Sequence, residues 1–378
     1  MKFPSLLKDL FGDIDWILVG SIIPILFFGL ITMNSFDGYN FFFNRQLIWI
    51  AFSFFIFLLC SIIDFKFLRR TSVVVFIYAV AIMSLGILFF VGSIFSGAQS
   101  WLDFGFFSVQ PADFAKIALI ITLAKYFSRR HVEIRNLKHL IVSGVYAFIL
   151  FLLIMVQPDF GSALIIFFIW LGMVWVSGLS KKHLAVVFLT GLTAFLALWF
   201  FVLADYQKNR IMTFVNPLED IQGAGYNAYQ SMITVGSGGF FGKGVGYGTQ
   251  SRLNFLPEYQ TDFIFAAFAE EWGFLGTIIL FICYGVLFSR IIGIAAKGAT
   301  NFETLFALGV VIMFMSHFFV HVGMNIGLMP ITGLTLPFMS YGGTNMLVSF
   351  ASLGILMSMK KYSRVSNRDV SKNEFVGI

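Results

Sequence analysis

The sequence predicts an all-α integral membrane protein of about ten transmembrane helices, with both termini on the cytoplasmic side. Three observations lead there. Of 378 residues, 58% are hydrophobic and only 12% charged, about half the charged share of a soluble domain. Apolar stretches long enough to cross the bilayer hydrocarbon, about 20 residues, recur from one end of the chain to the other. The 25 Lys and Arg gather in alternate connections between those stretches, the bias that orients membrane helices. A soluble enzyme, a disordered chain and a secreted disulfide scaffold are excluded. So is a membrane β-barrel, whose strands would read as short alternating segments.

The elements follow in order. The first span, 14–33, is too long for a signal-peptide core and has no small-residue cleavage site, so it stays as a membrane helix. Spans 45–63 and 71–92 flank the cluster Lys66, Arg69 and Arg70. Span 112–127 runs out into Arg129, Arg130, Arg135 and Lys138. Spans 139–156 and 161–179 are separated only by a turn at Gln157-Pro158-Asp159-Phe160. Span 184–203 follows Lys181 and Lys182 and leads into the one long connection, the extracytoplasmic loop 204–261. Spans 262–289, 303–326 and 340–359 complete the set, and 360–378 is a short polar cytoplasmic tail. The whole of 1–378 reads as one polytopic membrane domain.

With the N-terminus inside, 19 of the 25 Lys and Arg fall on cytoplasmic pieces. Arg45, Lys208, Arg210, Lys243 and Arg252 lie outside, and Lys116 lies within a span. The net charge of +6 is therefore a topology signal with an attraction to anionic membrane lipids, and no nucleic-acid partner is expected. Cys60 and Cys283 sit inside apolar runs and read as packing residues.

Long loops that are not hydrophilic spacers are usually functional. The loop 204–261 carries a glycine cluster, GSGGFFGKGVGYG, over 236–248. It fails as a P-loop, because Ser237 stands where the first glycine is required and Gly244 follows Lys243 in place of Ser or Thr. Tight turns packed near the membrane surface are favoured over a dedicated anion nest. Ionisable groups at the edges of spans mark function by default. Asp113 and Lys116 share one helix face at i and i+3, either as a neutralised pair or facing substrate. Asp159 either caps the sixth span or faces substrate. Asp262 opens the eighth span with an apolar back, after Glu258 and Thr261, in a setting that can raise a carboxyl toward a base's working range. Thr261 is available to cap that helix. Glu270 and Glu271 lie about 12 and 13.5 Å further along, near mid-membrane, and read as members of structural pairs. His317 and His321, at i and i+4, have metal-pair spacing without a third ligand and read as helix-packing groups. These residues leave two classes open, an enzyme acting on a lipid-linked substrate at the outer face and a transporter.

Several stretches together resemble the SEDS family (shape, elongation, division and sporulation) of integral-membrane peptidoglycan polymerases. They are Gly97-Ala98-Gln99-Ser100-Trp101, Gln110-Pro111-Ala112-Asp113-Phe114-Ala115-Lys116 and Gln157-Pro158-Asp159-Phe160-Gly161. Then come Gly236-Ser237-Gly238-Gly239, Leu256-Pro257-Glu258 leading into Thr261-Asp262-Phe263, and Gly327-Leu328-Met329-Pro330-Ile331-Thr332-Gly333 through Ser340-Tyr341-Gly342-Gly343. Gly248-Thr249-Gln250 and Leu253-Asn254-Phe255 are more similar to the elongation branch than to the division branch. Ser100, Asp113 and His321 depart from the family's usual Arg, Glu and Asn.

The resemblance implies a glycosyltransferase that polymerises lipid II into glycan strands on the outer face of the cytoplasmic membrane during cell elongation. Asp262 matches the family's essential carboxylate, which implies a general base and an inverting displacement of undecaprenyl pyrophosphate. Asp113, Lys116 and Asp159 match polar positions around the family's cavity, and Trp101, Glu258 and Thr261 belong to its outer motifs. Arg45, Lys116 and Arg210 are the candidate cations for pyrophosphate. A divalent cation, Mg or Mn, accompanying the pyrophosphate is compatible with this chemistry, although the sequence shows no dedicated ligand cage. The implied protein partner is a class B penicillin-binding protein transpeptidase. A lipid II flippase and a non-catalytic scaffold of the elongation machinery are the competing readings.

Overall fold

The computed structural model describes residues 14–36, 41–95, 98–105, 107–129, 137–178, 225–253 and 255–374, with isolated positions at 12 and between 189 and 212. Helices α1 (Trp16–Phe36) and α2 (Phe41–Ile62) lead through a 3-10 turn at Phe65–Arg69 into α3 (Thr71–Val91). Three short strands follow, β1 (Ser93–Phe95), β2 (Ala98–Asp103) and β3 (Ser108–Val109), and then α4 (Pro111–Ser128), α5 (Leu137–Val156) and α6 (Phe160–Val176). In the long loop lie α7 (Tyr226–Ser237) and the single turn α8 (Thr249–Arg252). The chain closes with α9 (Ile264–Ala295), α10 (Asn301–Asn325) and α11 (Gly343–Glu374). Six of these, α1, α2, α3, α5, α9 and α10, are long and apolar enough to cross a membrane, and α6 is a shorter apolar helix. The expected span 184–203 lies mostly outside the described residues.

Local chemistry sets the helix starts. Pro111 opens α4 at the position where a backbone N–H is not needed. Asp159 caps α6 by accepting from the Ser162 N–H at 3.0 Å. Thr300 caps α10 by accepting from the Glu303 N–H, and Glu303 returns the bond to the Ala299 N–H at 3.0 Å. Two ends differ from the sequence reading. The eighth span is broken at Gly273, whose φ of 64° needs glycine. The remaining stretch, 273–295, is still about 34 Å long at 1.5 Å per residue, enough to cross the hydrocarbon, so 264–272 is a separate half-helix. The last helix continues past 359 to Glu374, through most of the expected tail.

Helix α10 is the centre of the bundle and packs against α4, α6, α7, α9 and α11. One end of the bundle is tied by ion pairs. Asp15, immediately before α1, accepts from Arg290 Nη2 at 2.6 Å and Lys360 Nζ at 2.9 Å, joining α1, α9 and α11. Arg69 pairs with Glu303, and Lys125 Nζ donates to the Arg69 carbonyl, joining the 3-10 turn to α10 and α4. Toward the opposite end, the irregular segment between α10 and α11 threads through the interior. Non-helical backbone in a membrane protein survives only where protein satisfies it. Here Gln46 donates to the Ser340 carbonyl at 3.0 Å, and the Tyr341 N–H donates to the Gln260 carbonyl at 2.8 Å. A Cβ at Gly161 would stand 2.4 Å from the Thr332 oxygen, so the start of α6 touches this segment through a bare Cα.

Candidate active site

The stretch Thr332-Gly333-Leu334-Thr335 brings three of the sequence motifs together. Thr332 lies on Gly161, next to the Asp159 cap. Gly333, at φ 68°, turns its Cα toward Asp262, so that a Cβ there would sit 3.6 Å from the carboxylate Oδ2. Thr335 gives its carbonyl to His317 Nδ1 at 3.2 Å. Four residues of chain reach at most about 13 Å, so these contacts share one small region.

His317 connects that region to Lys116. A carbonyl only accepts, so His317 carries its proton on Nδ1 and offers the Nε2 lone pair. Lys116 Nζ approaches that lone pair at 3.3 Å and binds Asp113 Oδ1 at 2.8 Å. Both members of the ion pair are buried, at 2% and 3% side-chain exposure, and Asp113 Oδ2 has no hydrogen-bond partner among the described residues. The expected face-sharing pair exists, and its ammonium is enclosed rather than presented at the surface. His321 has the opposite tautomer: its Nε2 faces the Thr261 carbonyl at 3.4 Å. The two histidines hydrogen-bond backbone, and among the described residues no three His, Cys, Asp or Glu groups converge around a metal position.

Asp159 spends both oxygens, Oδ1 on the Ser162 N–H and Oδ2 on Gln110 Nε2 at 2.8 Å. Gln110 is fixed in turn through its own N–H on Thr344 Oγ1 at 3.2 Å. Glu258 is exposed, with φ 51°, and accepts from the Thr261 hydroxyl and Gln260 Nε2. Thr261 therefore does not cap α9. That service comes from Asn325 on α10, whose Oδ1 accepts from the Ala266 N–H at 3.3 Å. Asp262 itself is partly exposed at the start of the half-helix. Trp101 is partly buried in β2, opposite Ser93, with Ser100 buried beside it. Arg45 lies on the exposed flank of α2 with its guanidinium 4.6 Å from the Phe41 ring centre, while its neighbour Gln46 faces the interior. Arg210 lies outside the described residues.

The described N–H bonds of the glycine cluster go to α9 or back to the loop itself rather than forming an open anion cradle. The Lys243 and Gly244 N–H groups donate to the Glu270 and Glu271 carbonyls, and the Gly246 N–H donates to Glu271 Oε1 at 2.6 Å. Buried Glu270 accepts from Lys243 Nζ at 2.7 Å, Thr249 Oγ1 at 3.2 Å and the Gln250 N–H at 3.1 Å. Gly238 and Gly242 permit the close approach, since a Cβ on either would stand about 2 Å from the Ala269 or Glu271 oxygen. Glu270 thus forms a structural pair, as expected. Its partners come from the long loop, which folds onto the half-helix before the Gly273 break. No local signal could show this, because Lys243 and Glu270 are 27 positions apart. Asn325 was missed for the same reason.

Known proteins resemble this chain in sequence and fold. The chain is 39% identical over 295 residues to the peptidoglycan glycosyltransferase MrdB of Escherichia coli K12, covering 78% of this chain and 80% of MrdB. It is 34% identical over 360 residues to stage V sporulation protein E of Bacillus subtilis, covering 93% and 98%. Among solved structures, a chain of a peptidoglycan synthase complex that coordinates polymerization and crosslinking superposes with a TM-score of 0.80 at 26% identity, covering 92% and 98%. The rod shape determining protein RodA of Thermus thermophilus gives 0.69 at 27% identity, covering 92% and 96%. Residues 14–365 match the model of the FtsW/RodA/SpoVE family of cell cycle proteins, and the chain belongs to that family.

Proposed function

We propose that this multi-pass inner-membrane protein is a peptidoglycan glycosyltransferase that polymerises lipid II at the outer face of the membrane, with Asp262 as general base. The observation that carries the assignment is the setting of Asp262. Asp113 is buried against Lys116, and Asp159 has both oxygens committed. Asp262 is partly exposed and faces the bare Cα of Gly333, in the region where the α4, α6 and α10 motifs meet. A sugar hydroxyl arriving there gives its proton to the carboxylate as its oxygen attacks the donor's anomeric carbon. The bond from that carbon to the undecaprenyl pyrophosphate oxygen breaks, and the configuration inverts. The protonated carboxyl then returns its proton to solvent.

The leaving pyrophosphate needs cationic stabilisation. Lys116, linked to this region through His317, is one proposed cation: Asp113 and His317 enclose it and take two of its three N–H donors, and the third is proposed to meet the pyrophosphate when substrate opens the site. Arg210 and Arg45 are the outer candidates, and Glu258, Thr261 and Trp101 are proposed to line the approach. A divalent cation, Mg or Mn, would travel with the pyrophosphate as part of the substrate. The described residues offer it no cage, so no step is assigned to a metal held by the protein.

A flippase would need a continuous polar path. Among the described residues α10 instead buries Leu305, Phe306, Val310, Met313 and Phe314 between Glu303 and His317, which favours chemistry at one face. A class B penicillin-binding protein is the proposed partner, supported by the similar fold found within a complex that coordinates polymerization and crosslinking. Purified protein given lipid II, with and without that partner, tests the reading: glycan polymer supports it, and lipid II translocation without polymer would replace it with the flippase.

A further inference from the structure

Asp262 sits at a helix start, where backbone tends to fray, yet a base must be aimed to within a fraction of an ångström. Part of what holds it comes from another helix. Phe263, the residue in the capping position of α9, makes no side-chain cap bond. The cap comes from α10, through an amide 59 positions away in sequence.

Asn325 is fully buried, at 0% exposure. Its Nδ2 donates to the Asp262 carbonyl at 3.0 Å and to the His321 carbonyl at 2.8 Å. Its Oδ1 accepts from the Ala266 N–H at 3.3 Å and faces Ser231 Oγ of α7 at 3.3 Å. With two carbonyls on one side and an N–H on the other, the amide can take only one orientation. The bonds to Asp262 and Ala266 bracket the first turn of the half-helix on both sides of Phe263. One residue earlier, the Thr261 carbonyl is held by Ser340 Oγ at 2.8 Å and His321 Nε2 at 3.4 Å. The peptide groups around Asp262 are thus pinned by side chains from α10 and the α10–α11 segment.

We infer that Asn325 is a positioning residue for the reaction: by binding the Asp262 carbonyl and the Ala266 N–H together, it fixes the direction in which the Asp262 carboxylate points. This rests on the base role of Asp262. Asn325 is fully buried, so its loss should act on turnover and leave substrate affinity alone. A misplacement near 1 Å costs about 100-fold in rate.

The test compares full-length wild type, Asn325→Asp, Asn325→Leu and Ser231→Ala in detergent. Kd for lipid II, the maximal polymerisation rate and the thermal midpoint are measured for each. Asn325→Asp keeps the shape and the acceptor oxygen but cannot serve both carbonyls. Ser231→Ala removes a hydroxyl that donates to the Asn325 backbone carbonyl at 3.0 Å and faces its Oδ1 at 3.3 Å, without touching Asp262 or either bond of the amide nitrogen. The expected result is a fall of about 10- to 100-fold in maximal rate for both Asn325 variants, with Kd within about twofold, and near wild-type behaviour for Ser231→Ala. Two results would overturn the inference: wild-type rates from Asn325→Asp, or rates that follow the thermal midpoint across all three variants, since a merely structural amide predicts that correlation. Should Asn325→Leu not insert stably, Asn325→Asp decides alone. Failure of the base role is distinguishable, because Asp262→Asn would then retain polymerisation whatever the Asn325 variants do.

Discussion

The buried pair Asp113–Lys116 separates structure from catalysis through a double substitution. Its side chains are 2–3% exposed and in contact at 2.8 Å, so water screens neither charge. Lys116→Met strands the Asp113 carboxylate, whose Oδ2 already lacks a partner among the described residues. Breaking a buried pair in this way costs about 3–5 kcal/mol. Asp113→Leu/Lys116→Met removes both charges, and an apolar replacement of a buried pair is often neutral or stabilising by about 1–4 kcal/mol. Against that stands His317 Nε2, left without its donor at about 1–3 kcal/mol. The double variant should therefore unfold close to wild type, and the single variant well below it. Thermal unfolding in detergent reads stability, and lipid II polymerisation reads function. With Lys116 acting on pyrophosphate, the double variant stays inactive although stable. Polymer at a near wild-type rate would make Lys116 purely structural. A Lys116→Met protein as stable as wild type would refute the buried-pair energetics themselves.

Three further outcomes follow from other parts of the molecule. Gly333→Ala forces a side chain to φ 68° and sets a methyl 3.6 Å from Asp262 Oδ2; a strain of about 1–2 kcal/mol carried into the transition state should lower polymerisation about 5- to 30-fold, and unchanged activity would move the substrate to another face of the carboxylate. Burial alone would raise the Asp15 carboxyl, but the hydrogen bonds from Arg290 and Lys360 outweigh it and hold the pKa at about 2, below its ordinary 3.8. Its stabilising effect is thus full above about pH 4 and lost as pH falls toward 2, so the thermal midpoints of wild type and Asp15→Asn should differ at pH 6 and converge near pH 2; a gap that persists there contradicts the pairing. For orientation, in a background without Cys60 and Cys283, Tyr247→Cys should react with an impermeant thiol reagent in intact spheroplasts, and Arg129→Cys only after permeabilisation. The reverse pattern would invert the topology.

What the sequence made legible follows the range of the interactions. Membrane helices announce themselves through runs of some 20 residues, and Pro111, Asp159 and Thr300 mark their starts within four residues. The Asp113–Lys116 pair was legible because i and i+3 share a face. The Gly273 break was hidden inside an unbroken apolar run, since only the packing of loop glycines against it reveals the need for a positive φ. The caps that aim Asp262 were hidden too, because Asn325, His321 and Ser340 reach it across 60 to 79 positions. Thr261, the local alternative, turns back to Glu258 instead.

The most direct test of the base assignment is polymerisation by Asp262→Asn, purified with its proposed penicillin-binding partner and given lipid II. The amide keeps the shape and packing against Gly333 but accepts no proton. No glycan polymer above background is expected, from a protein whose thermal midpoint and lipid II binding match wild type. Substantial polymer from this variant would contradict the account.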